Sequence, residues 1–79
     1  MVKVRFHGAL KDEIGLDHVD VNITQLAEAL SRLPDNIKAV LEKYEKYLIV
    51  LVNGRRTYDL NISLGNDSVV DIMLPLGGG

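Results

Sequence analysis

A chain of 79 residues, 47% apolar and free of cysteine, has to fold on one small core with no disulfide or thiolate to help it. Its net charge of −2, with both signs interspersed, argues against nucleic acid and against an anionic membrane surface as partners. No apolar run approaches the ~20 residues of a membrane span, and the opening Met-Val-Lys-Val-Arg-Phe lacks a signal peptide's apolar stretch, so a soluble cytoplasmic protein is expected.

Val2, Val4 and Phe6 alternate with Lys3, Arg5 and His7, the period of a strand with one buried face. A polar loop from Gly8 to Leu16 is expected next. Val19 and Val21, alternating with Asp20 and Asn22, then give a second, shorter strand, hairpin-fashion. The period changes at Asn22. Ile23, Leu26, Ala27, Leu30 and Leu33 form one apolar helical stripe. Asn22 is the expected N-cap, with Gln25 reaching back in a variant of the capping box. Pro34 disfavours helical geometry at Leu33 and ends that helix. A second helix is expected from an Asp35 cap, with Ile37, Val40, Leu41 and Tyr44 inward and Glu42, Lys43, Glu45 and Lys46 solvated.

Leu48 to Val52 is aliphatic throughout, too short for a helix, and reads as a central strand. Asn53-Gly54 is a strong hairpin signal because both residues tolerate positive φ, and Arg55 to Tyr58 is the expected return strand. An irregular stretch anchored by Leu60, Ile62 and Leu64 leads through a turn at Gly65-Asn66-Asp67 to a last strand, Ser68 to Leu74. One main helix across a mixed sheet of four to five strands, with a short second helix, makes the fold class α+β.

The chain then runs Leu74-Pro75-Leu76-Gly77-Gly78-Gly79. Glycine has no Cβ, so a run of three makes a thin tail able to thread a narrow slot and present its carboxylate. Glycine-rich ends are also commonly disordered, or scars of expression. The expected organisation is a single domain over 1–76 and a flexible tail over 77–79.

Order and tail together resemble the ubiquitin-like β-grasp fold, and more narrowly the MoaD/ThiS family of sulfur carriers, related to the ubiquitin-related modifier and the small archaeal modifier proteins. The resemblance covers essentially the whole chain. It is carried by Val2 to Gly15, by Asn22 to Leu26 at the helix cap, by the Val52-Asn53-Gly54 hairpin, by Asp67-Ser68-Val69 and by the final glycines. There are departures: Asn66 stands where the family has glycine, tolerable because Asn visits the left-handed region; His7 replaces a second aromatic; one proline of a usual pair remains, Pro75; and there are three glycines rather than two.

The resemblance implies a carrier rather than an enzyme, with no catalytic residue, no metal and no cofactor of its own. An E1-like activating enzyme (MoeB/ThiF-like) would thread Gly77 and Gly78 and use ATP to adenylate the Gly79 carboxylate. A persulfide sulfur would then displace AMP and leave a thiocarboxylate. The sulfur would pass to a MoaE-like large subunit in molybdopterin or tungstopterin biosynthesis, or to another acceptor in thiazole formation or tRNA thiolation. In a modifier, a target-protein lysine would capture the same activated glycyl group. Leu51 and Met73, outward on neighbouring strands, with Phe6 and Leu76, are the expected docking residues. A non-covalent β-grasp interaction module is the remaining alternative. No histidine-partnered nucleophile, zinc-ligand spacing or phosphate-binding glycine loop is visible. His7 and His18 read as strand-end surface residues, Asp12-Glu13 as a solvated pair, and Arg55-Arg56 as a solvated tip with a minority role in steering an acidic partner.

Overall fold

A computed structural model describes residues 1–75. Five strands, β1 (Val2–Phe6), β2 (His18–Val21), β3 (Ile49–Val52), β4 (Arg55–Arg56) and β5 (Val69–Met73), form one mixed sheet in the order β2-β1-β5-β3-β4. Three α-helices, α1 (Gly8–Ile14), α2 (Leu26–Arg32) and α3 (Asp35–Lys43), and a 3-10 turn at Glu45–Tyr47 accompany it. This is the expected α+β, ubiquitin-like arrangement. Among the described residues no helix is long and apolar enough to cross a membrane.

The strand alternation in β1 is realised as read: Val2, Val4 and Phe6 are buried while Lys3 and Arg5 are exposed. β1 pairs antiparallel with β2 and parallel with β5, and β3 pairs antiparallel with β5. The middle strand is therefore β5, and the aliphatic run before Asn53 is, as expected, an interior strand, lying between β5 and β4. In that run Val50 and Val52 pack on the core side, while Ile49 and Leu51 lie half-buried on the outer face. The hairpin turn is as expected, with φ of +50° at Asn53 and +83° at Gly54. Its return strand is only Arg55–Arg56, shorter than the expected Arg55 to Tyr58.

The segment read as a polar loop is helix α1. Leu10 is fully buried and Ile14, one turn later, packs against the core. Gly15, at φ +84°, closes the helix in the left-handed conformation, its N–H donating to the Lys11 carbonyl at 2.8 Å. Glu13 is not simply solvated either. Its carboxylate accepts hydrogen bonds from Lys43 Nζ and Tyr44 Oη, which ties α1 to the end of α3.

Helix α2 starts later than the apolar stripe implies. Its N-cap is Gln25, in extended geometry, and the reciprocal partner is Glu28. Glu28 Oε1 accepts from the Thr24 and Gln25 N–H groups, each at 3.0 Å, and from Thr24 Oγ1 at 2.7 Å. A carboxylate at N3 captures orphan donors more strongly than the Gln25 amide reaching back to Asn22 would. Ile23 is buried ahead of the helix rather than in it. Leu33 is extended before Pro34, as expected, but Pro34 itself caps α3 and Asp35 is its first residue.

The irregular stretch after β4 holds α2 through backbone. Leu26 and Ala27 N–H groups donate to the Ile62 and Leu60 carbonyls, and Leu64 N–H donates to Thr24. Leu64 is buried, but the Leu60 side chain is 51% exposed and anchors nothing. In the turn that follows, Ser68 Oγ accepts from Gly65 N–H at 2.9 Å, and the strand begins at Val69 rather than Ser68. Among the described non-glycine residues only Asn53 has positive φ, so Asn66 does not use the left-handed freedom expected of it.

Candidate functional site

The last described strand carries the chain towards its glycines. β5 runs up the middle of the sheet, parallel to β1, and ends at Met73, with Leu74 half-buried against the core and Pro75 after it. Leu76, Gly77, Gly78 and Gly79 lie outside the described residues.

Register fixes which side chains share the outer face. Val70 and Ile72 point into the core, so Val69, Asp71 and Met73 point away from it. Asp71 lies opposite Arg5 on one side and Leu51 on the other, and Met73 lies opposite Ile49. Leu51 and Met73 are thus diagonal neighbours on that face, each half-buried. Phe6 does not join them. It is 1% exposed and faces the core with Val2 and Val4, because its parity in β1 is the buried one, so it offers no docking surface.

Asp71 faces outward, yet it is buried: its side chain keeps 8% of its exposure. Arg5 covers it in a fork, Nε donating to Oδ1 at 2.6 Å and Nη2 to Oδ2 at 3.0 Å. His7 Nε2 lies 2.7 Å from Oδ1, and an ionised carboxylate only accepts, which places the shared proton on Nε2. The hydrogen bonds from Arg5 hold the Asp71 carboxyl below its ordinary value, burial opposes them, and His7 adds to the lowering. His7 also reaches β5 through its backbone, its N–H donating to the Ile72 carbonyl at 3.1 Å. The end of β1 is therefore fastened to β5 three residues before Pro75. Strand alternation put Arg5, His7 and Asp71 on one face; their meeting depends on the parallel β1–β5 pairing.

The second histidine stays at the surface, His18 Nδ1 being 3.4 Å from Asp17 and Nε2 3.9 Å from Asp20. Arg56, opposite Leu51 on β4, stacks over the Tyr58 ring at 4.9 Å from its centroid.

No family model matches the sequence, and no curated protein matches it significantly. Solved structures do. The small archaeal modifier protein 1 of Haloferax volcanii superposes with a TM-score of 0.80 at 19% identity, over 99% of this chain and 98% of that one. Subunit 1 or 2 of the molybdopterin-converting factor of Helicobacter pylori, solved as a complex of the two, matches with a TM-score of 0.75 at 24% identity, over 99% and 97% of the chains. A chain of the BexX/CysO complex of Amycolatopsis orientalis matches with a TM-score of 0.72 at 23% identity, over the full length of both. At such identities what is shared is the backbone: the chain has the ubiquitin-like β-grasp fold of these proteins.

Proposed function

We propose that this chain is a sulfur carrier of the MoaD/ThiS type, activated at the Gly79 carboxylate. One observation carries the reading: a β-grasp body whose central strand delivers the chain to a Leu-Pro-Leu-Gly-Gly-Gly sequence. An E1-like enzyme binds the body, threads Gly77 and Gly78, and brings Gly79 to ATP. The carboxylate oxygen attacks the α-phosphate and pyrophosphate leaves. A persulfide sulfur then attacks the acyl carbon and AMP leaves; cleavage of the remaining S–S bond by a thiol or other reductant frees the terminal thiocarboxylate. That group is ionised and nucleophilic near neutral pH, and it hands its sulfur to an acceptor held by a second protein. The body performs no catalysis; it holds out the reacting group and is gripped. Leu51 and Met73, beside Ile49 on the outer face, are the grip, and Leu76 extends it. Sulfur transfer within molybdopterin or tungstopterin biosynthesis, to a MoaE-like subunit, is the first choice of pathway, and the cytoplasm the place.

The likeness to a small archaeal modifier favours a second reading through the same group, in which a lysine amine of a target protein captures the activated glycyl carbonyl as an isopeptide. Intact mass spectrometry of protein from its native cell tests both. A mass gain equal to the exchange of one oxygen for sulfur is the carrier's result, and lysine-linked conjugates with a glycyl remnant are the modifier's. A terminus that stays unmodified while sulfur-requiring cofactors are being made, with no conjugates, overturns both and leaves a non-covalent module.

A further inference from the structure

The outer sheet face has a charge pattern that an apolar docking patch does not need. Read across the sheet in register, its middle row is His18, Arg5, Asp71, Leu51 and Arg56. Half-buried Ile49, Leu51, Val69 and Met73 make an apolar centre on β3 and β5. Exposed Lys3 and Arg5 frame it along β1, and exposed Arg56 frames it along β4. The chain as a whole has more acids than bases, 11 against 9, so this basic frame is a local reversal of sign.

Acidic residues on the strands' outer face are two, Asp20 and Asp71. Asp20 stands on β2 directly opposite Lys3, on the side of β1 away from the apolar centre. Asp71 is covered, and its oxygens are already taken by Arg5 and His7. A shallow concavity lined by Lys3, Arg5, His7, Lys11 and His18, with Asp17 as its one acid, extends the margin past the end of β1 with cations in excess.

We infer that this face docks a partner protein whose contact surface is apolar at its centre and rich in Asp and Glu carboxylates at its rim. The apolar strip is the part that excludes water, and the flanking cations choose the partner and orient it as it arrives. A nucleic acid is the poorer fit, because no Phe, Tyr or Trp side chain stands on this face among the described strand residues to stack on a base. The inference deepens the docking-face part of the proposed function and does not depend on the terminal chemistry.

The test follows amide chemical shifts of the isotope-labelled full chain during titration with three probes: an acetylated Glu-Glu-Leu-Leu-Glu-Glu amide, its Lys-Lys-Leu-Leu-Lys-Lys counterpart, and inorganic phosphate. The acidic peptide is expected to shift Leu51, Val69 and Arg56 together and saturably, with an effect that fades as salt is raised. The basic peptide and phosphate are expected to leave them in place. The Lys3→Glu, Arg56→Glu double variant, which spares the Arg5–Asp71 pair, is expected to bind the acidic peptide about three- to tenfold more weakly. Equal response to both peptides, reproduction of the shifts by phosphate, an undiminished response in the double variant, or no response on this face overturns the inference. None of these results bears on the mass of the Gly79 end, so the two proposals fail separately.

Discussion

Replacing Asp71 by Asn tests whether the carboxylate under Arg5 contributes through its charge. The substitution keeps shape and one acceptor oxygen but removes the charge that orders the Arg5 fork and His7. A buried ion pair broken on one side costs about 3–5 kcal/mol, because the abandoned charge stays buried. Here the abandoned groups are half in water, Arg5 at 47% and His7 at 43% side-chain exposure, so solvent takes over their donors. The expected loss at neutral pH is therefore smaller, about 1.5–3 kcal/mol, the scale of one charge-assisted hydrogen bond.

The pH dependence gives the sharper reading. Asp71 titrates lower folded than its ordinary 3.8, so its contribution is complete above that value and fades as pH falls through the lower folded one. Glu13 and Glu28 are also held low, by hydrogen bonds from Lys43 and from Thr24 respectively, so both proteins weaken in acid. The difference between them isolates Asp71. Urea unfolding of both proteins, followed by circular dichroism across neutral to strongly acidic pH, is expected to show the gap closing at the acid end. A gap that persists undiminished once Asp71 is protonated, or an Asn variant as stable as the parent at neutral pH, refutes the electrostatic account.

Leu10→Ala is expected to cost about 2–5 kcal/mol in the same urea assay, because Leu10 is fully buried and α1 supplies it to the core; the cost of a surface-loop substitution would contradict that role. Asn53→Ala is expected to lose about 1–2 kcal/mol, since Ala at φ +50° lacks the side-chain amide that lets Asn hold the left-handed region, and since it removes the Oδ1 that accepts from Val69 N–H at 2.9 Å. Leu51→Glu is expected to slow activation by the E1-like enzyme with far-ultraviolet circular dichroism unchanged, and unchanged activation kinetics would remove Leu51 from the grip. Converting the Gly79 carboxyl to an amide is expected to abolish adenylation, read as loss of ATP–pyrophosphate exchange with that enzyme.

What the sequence disclosed and what it withheld have a common physical cause. Alternation and helical stripes report which face of an element is apolar. They therefore disclosed β1, β2, the Asn53-Gly54 hairpin, both helices after Asn22 and the outward parity of Leu51 and Met73. They say nothing about what covers the opposite face. Asp71 has the parity of a solvated residue and is buried because Arg5 folds over it from a strand 66 residues away in sequence. Phe6 errs the other way: family analogy made it a contact, while its alternation with Lys3 and Arg5 already assigned it to the core. Helix α1 was withheld for a different reason. Seven residues, from Gly8 to Ile14, are too few for periodicity to register, although Leu10, Ile14 and the terminating Gly15 together spell one turn and its cap. The family motifs locate hairpin, helix and tail, but this chain puts an Arg–Asp–His cluster beside the point where its last strand ends. Of the departures from the family pattern, His7 is the one that touches this cluster, beside the cations that flank the face. Restoring an aromatic with His7→Phe should leave the fold intact, loosen the hold on Asp71, and shift preference from an acidic partner towards a more apolar one; an unchanged peptide preference in the titration above would show that His7 has no part in the choice.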